Sequence, residues 1–74
     1  MTEANLIRQK EKEILIYIKH LRTAKGFSQY ELGERIGVSQ NAYYKIEKGV
    51  TKLDLQRLIK LSFIFEIELP LLVR

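Results

Sequence analysis

Residues 37–49 read GVSQNAYYKIEKG. A glycine stands at each end, and Ser39 is followed by a run that mixes polar groups, two tyrosines and two lysines. Serine is a preferred helix N-cap, and glycine commonly closes a helix in the left-handed conformation. The stretch therefore reads as a short helix from Gln40 to Lys48, capped by Ser39 and closed by Gly49. Val38 and Tyr43 occupy the two positions of a hydrophobic staple. Within this helix Ala42, Tyr43 and Ile46 share one face and turn towards a core. The opposite face presents Gln40, Asn41, Tyr44, Lys45 and Lys48.

The residues before it repeat the same grammar. Ser28 and Glu31 form an S-x-x-E capping box, Phe27 and Leu32 staple it, Leu32 and Ile36 supply a buried side, and Gly37 ends the helix. This helix and the next are joined by only Gly37, Val38 and Ser39. So short a connection forces a steep crossing, the helix-turn-helix arrangement, here spanning about residues 28–48. Gly33 sits inside the first of the pair, where glycine costs about 1 kcal/mol relative to alanine, so another helix is expected to pass too close for a side chain.

Further out, Ile14, Ile18 and Leu21 mark the buried stripe of a helix from about Ala4 to Lys25, closed by Gly26. Asp54 caps a last long helix with Leu53 and Leu58 in the staple positions, and Leu55, Leu58, Leu61, Ser62 and Phe65 are expected to face inward. The tail EIELPLLVR reads as a short fifth helix with Pro70 at its first position. Alternation of apolar and acidic residues from Phe65 to Leu69 would also suit a half-buried strand.

Length and composition agree with one all-α domain over residues 1–74. A chain of 74 residues with 46% hydrophobic and 30% charged residues supports one modest core and is not disordered. It has no cysteine and a single histidine, His20, so neither disulfides nor a metal site is expected. No apolar run approaches the roughly 20 residues of a membrane span, and the first residues lack the core of a signal peptide, so a cytoplasmic location is expected. The net charge is +4. Between Ser39 and Lys60 the cations Lys45, Lys48, Lys52, Arg57 and Lys60 face only Glu47 and Asp54, so an anion would be met there.

The exposed set on the 40–48 helix has the chemistry of a major-groove reader. Glutamine and asparagine can bond an adenine edge in bidentate fashion, lysine can donate to guanine or phosphate, and tyrosine can donate to phosphate. Gln40 and Asn41 stand in the first turn, the end by which a recognition helix enters the groove.

The segment LRTAKGFSQYELGERIGVSQNAYYKIEKG closely resembles the Cro/C1-type (XRE-like) helix-turn-helix family of phage repressors and bacterial regulators. The likeness covers about residues 14–69 and includes the L-R-x-x-x-G-x-S-Q entry, the G-V-S turn and the I-E-x-G exit. It implies a lambda-repressor-like bundle of four or five helices that binds double-stranded operator DNA as a homodimer, without a cofactor. Carried over position by position, Gln29 would touch the DNA backbone and brace the first recognition residue. Gln40, Asn41 and Lys45 would read bases, while Ser39, Tyr44, Lys48 and Lys52 would meet phosphates. Arg22 and Glu47 would form an interior ion pair between the first and third helices. Gly33 departs from the family's usual alanine, and Phe63 from its usual polar residue. Leu15, Ile16 and Tyr17 make the first helix apolar on more than one side, and its first turns extend beyond the family minimum.

The expected function is a transcriptional repressor and not an enzyme, since no nucleophile–base pair, phosphate-cradling loop or metal cluster can be read in the chain. The alternative is a protein-interaction module, such as an antitoxin or adaptor with an unknown protein partner. The lysines at the centre of the 40–48 face weigh against it. Too many apolar residues crowd into the last twelve positions for one monomer to cover. Phe63, Ile67, Leu69, Leu71 and Leu72, on the tail and the end of the fourth helix, are therefore expected to form a dimer surface, with residues 15–17 as a second candidate. The alternative is that the tail docks back as a fifth helix and completes the monomer core.

Overall fold

Each of the four longer helices begins where a side chain can satisfy its free N–H groups. The computed structural model describes residues 2–74, and its elements in order are α1 (Glu3–Ala24), α2 (Gln29–Ile36), α3 (Gln40–Glu47), α4 (Leu55–Phe65) and α5 (Leu69–Leu72). Thr2, Ser28, Ser39 and Asp54 cap the first four, each accepting from the backbone N–H three residues on. At α2 the box is reciprocal, with Glu31 accepting in turn from the Ser28 N–H at 2.9 Å. Gly26, Gly37 and Gly49 lie at helix ends with φ between 81° and 84°. Among the described residues there is no strand.

Ile18, Leu32, Ile36, Tyr43, Leu61, Phe65 and Leu72 form the core, drawn from all five helices. α1 is the outlier in length: its 22 residues span about 33 Å in a molecule 37 Å long. Every residue from Glu3 to Glu13 is exposed, so only its second half is built into the bundle. None of the described helices is long and apolar enough to cross a membrane.

Gly33 is buried where α2 meets the turn and the start of α3. A Cβ there would stand 3.1 Å from the Val38 carbonyl, 3.2 Å from that of Ser39 and 3.3 Å from Tyr43 Cβ. The close approach comes from the turn as much as from α3.

Three expectations are corrected. Leu55 is 67% exposed: it lies in the first turn of α4, on the flank of the inward face and beyond the end of the core. Leu72 is not available as a contact surface, because it is 1% exposed within the monomer core. The chain reverses after α4 through Glu66, a non-glycine residue at φ 56°, and Ile67 N–H returns to the Ser62 carbonyl at 3.0 Å. α5 then folds back, with Ile67, Leu69 and Val73 partly buried against the core. One monomer thus covers most of the tail, leaving Phe63 at 76% and Leu71 at 49% exposure. Pro70 is the second residue of α5, not the first.

Candidate nucleic-acid interface

The α2–α3 connection is held by backbone bonds in a left-handed turn that favours glycine at position 37. With Gly37 at φ 84°, its N–H reaches the Glu34 carbonyl at 3.1 Å and the Val38 N–H reaches the Gly33 carbonyl at 2.8 Å. These bonds close the last turn of α2 and aim the chain into the Ser39 cap of α3, whose hydroxyl accepts from Ala42 N–H at 3.1 Å. Ser39 is itself exposed.

α3 then divides by face. Tyr43 and Ile46 are buried at 0% and 7% exposure, with Ala42 half-buried beside them. Gln40, Asn41, Tyr44, Lys45 and Lys48 are all exposed. The Lys48 ammonium lies 5.8 Å from the centre of the Tyr44 ring, a cation–π distance that groups these two side chains at the end of the face. Beyond Gly49 the loop curls back, its Val50 N–H on the Lys45 carbonyl at 2.9 Å, and carries Lys52 in the open. Arg57 is engaged by the Asp54 carboxylate at the start of α4, so it is not a free cation of this surface.

Behind the exposed face, Glu47 anchors the end of α3. Arg22 from α1 donates to it through Nε at 2.9 Å and Nη2 at 3.1 Å, and donates through Nη1 to the Phe27 carbonyl at 2.9 Å. The Tyr43 hydroxyl donates to the same carboxylate at 2.6 Å, and the Gln29 amide at 3.2 Å. Burial opposes the charge on Glu47, but bonds from Arg22, Tyr43 and Gln29 outweigh it and hold the carboxyl below the ordinary glutamate range. The bond to Glu47 raises Arg22 against the effect of burial, and burial followed by the bond to Glu47 pushes the Tyr43 phenol up. The cluster fixes α3 to α1 and to the first residue of α2. Gln29, expected beside the first recognition residue, directs its amide to Glu47. Helical spacing marks Tyr43 only as a core residue, although its distance along the chain from Glu47 (i, i+4) is a legible signal for the hydroxyl contact.

A family model described as Helix-turn-helix matches residues 18–72. The chain belongs to the Cro/C1-type helix-turn-helix family. Among curated proteins it is 35% identical over 57 residues to the SPbeta prophage-derived uncharacterized HTH-type transcriptional regulator YonR of Bacillus subtilis (strain 168). That match covers 77% of the chain and 53% of the relative, so the chain spans about half the relative's length. No solved structure matches it.

Proposed function

We propose that this protein is a sequence-specific regulator of transcription that binds duplex DNA by inserting α3 into the major groove, works in the cytoplasm as a homodimer, and represses by occupying its operator. The observation that carries the reading is the division of α3. One side is fixed by Tyr43, Ile46 and Glu47, and the other offers Gln40, Asn41, Tyr44, Lys45 and Lys48 to solvent. A recognition helix needs both, since base edges are read only by side chains on a backbone that does not shift. Gln40, Asn41 and Lys45 take the base-reading roles. Ser39, Tyr44, Lys48 and Lys52 meet phosphates, and Gln29 approaches the backbone from the start of α2. The relative's name as a transcriptional regulator supports the reading.

Selection of bound sequences from a random duplex pool should yield a defined site, and a two-fold dimer should yield two half-sites about 34 Å apart. On that site Gln40→Ala should cost about 1–3 kcal/mol and relax preference at one base pair. An equal loss on random DNA would show that Gln40 reads no base.

A further inference from the structure

The part of α1 that precedes residue 18, where the family match begins, takes part in a concave surface. It encloses, with the loop between α3 and α4, an open groove of about 610 Å³. The floor is apolar, lined by Ile14, Leu15, Ile16, Leu53 and Leu58. Around it stand Arg8, Lys12 and Lys19 from α1 and Lys48 and Lys52 from the loop side. Glu11 and Glu47 also line the groove, but Glu47 is already bonded to Arg22, Tyr43 and Gln29. That leaves Glu11 against five cations, none of which is in an ion pair among the described residues.

Such a surface suits neither solvent nor a bare phosphate. Ile16 is 59% exposed, and a phosphate laid over aliphatic side chains would lose water without gaining hydrogen bonds. An amphipathic helix fits both halves of the chemistry, its apolar face on the floor and its acids on the rim.

We infer that the groove seats an acidic amphipathic segment of a partner protein, held by the apolar floor and by Arg8, Lys12, Lys19, Lys48 and Lys52. Lys48 and Lys52 are also in the phosphate-facing set, so the segment and DNA compete for them. This competition rests on the DNA-binding reading above; the docking does not.

The probe is a fluorescein-labelled peptide of about 16 residues, on the order of 24 Å as a helix, with leucines on one face and glutamates elsewhere. One control has the same composition scrambled to destroy the apolar face, and another has lysine for every glutamate. Titrated into the intact chain without DNA, the acidic peptide should bind saturably and both controls should fail. Arg8→Glu with Lys12→Glu, and separately Ile16→Glu, alter exposed side chains and should leave the helical circular dichroism unchanged. Each should weaken the peptide on the order of tenfold.

No saturable binding, equal binding of the scrambled peptide, or indifference to both variants overturns the inference. So does a chain in which Arg8 and Lys12 matter for duplex DNA and not for the peptide, which would assign the groove to the phosphate backbone. Self-association abolished by Ile16→Glu would assign it instead to a second copy. With DNA present, the peptide should release it, and a stable ternary complex would overturn the competition. Because the docking is measured without DNA, a failure of the DNA reading leaves that result intact.

Discussion

At the scale of single residues, Glu47 accepts four hydrogen bonds: two from Arg22, one from Tyr43 and one from Gln29. The Arg22 and Glu47 side chains are only 10% and 5% exposed, so removing one partner strands a charge. Arg22→Ala should destabilise the fold at neutral pH by about 3–5 kcal/mol, and replacing both by apolar residues of similar volume should cost much less. The pH dependence has a definite sign. Glu47 is held below its ordinary value, so its contribution is present above the unfolded carboxylate pKa, about 4.3, and is lost as pH falls through the lower folded value. The penalty of Arg22→Ala should therefore shrink between neutral pH and about pH 3, because protonation neutralises the stranded carboxylate. Urea denaturation of wild type and variant across that range checks it. A penalty that is constant with pH, or no larger than a surface charge gives, would contradict the account.

At the scale of elements, the α2–α3 unit depends on how closely Gly33 lets the turn approach. Alanine there would gain about 1 kcal/mol in helix propensity but would press on two turn carbonyls and Tyr43 Cβ at 3.1–3.3 Å, so Gly33→Ala should be near neutral. Gly33→Val must displace those atoms further and should cost about 2–3 kcal/mol. A valine variant with an unchanged denaturant midpoint would show that the contact is soft. The same element explains what can be read from residue types. Capping chemistry is local: Ser28, Ser39 and Asp54 act within three residues of themselves, and the glycines at 26, 37 and 49 mark turns by their own backbone freedom. The helices are therefore legible nearly to their ends. The division of α3 is legible too, because its short length gives one unambiguous inward stripe. Leu55 is not, since helical spacing says which face a residue is on but not whether the core extends to that turn. The tail's short helix is legible, but residue type does not choose between docking back on the core and an outward dimer surface, for a related reason. Its reversal uses Glu66 at φ 56°, a conformation that residue type does not announce, and without the reversal Leu72 has no route to the core. The destination of the Gln29 amide is likewise hidden, because it is set by where α1 delivers Arg22 to Glu47 rather than by anything near residue 29.

At the scale of the molecule, one recognition helix reads only a few base pairs, so the proposed specificity calls for two copies. The monomer leaves Ile59 and Phe63 exposed on the outer side of α4, with Leu55 exposed at the flank of its first turn and Leu71 on α5. We propose that Phe63 and Leu71 lie at the centre of the dimer contact, with Ile67 and Leu69 at its edge. Sedimentation at micromolar concentration should find a dimer that Phe63→Glu with Leu71→Glu converts to monomer. A monomeric wild type, or a dimer indifferent to both changes, would remove this surface. The central claim, that the α3 face and the loop after it meet duplex DNA through their lysines, is tested most directly by the salt dependence of binding. Each neutralised phosphate contributes a slope of about 0.9 in log affinity against log salt concentration. Changing Lys45, Lys48 and Lys52 together to glutamine should weaken binding to every duplex and, through Lys48 and Lys52, reduce the slope by about 2. An unchanged affinity and an unchanged slope in that triple variant would contradict the account.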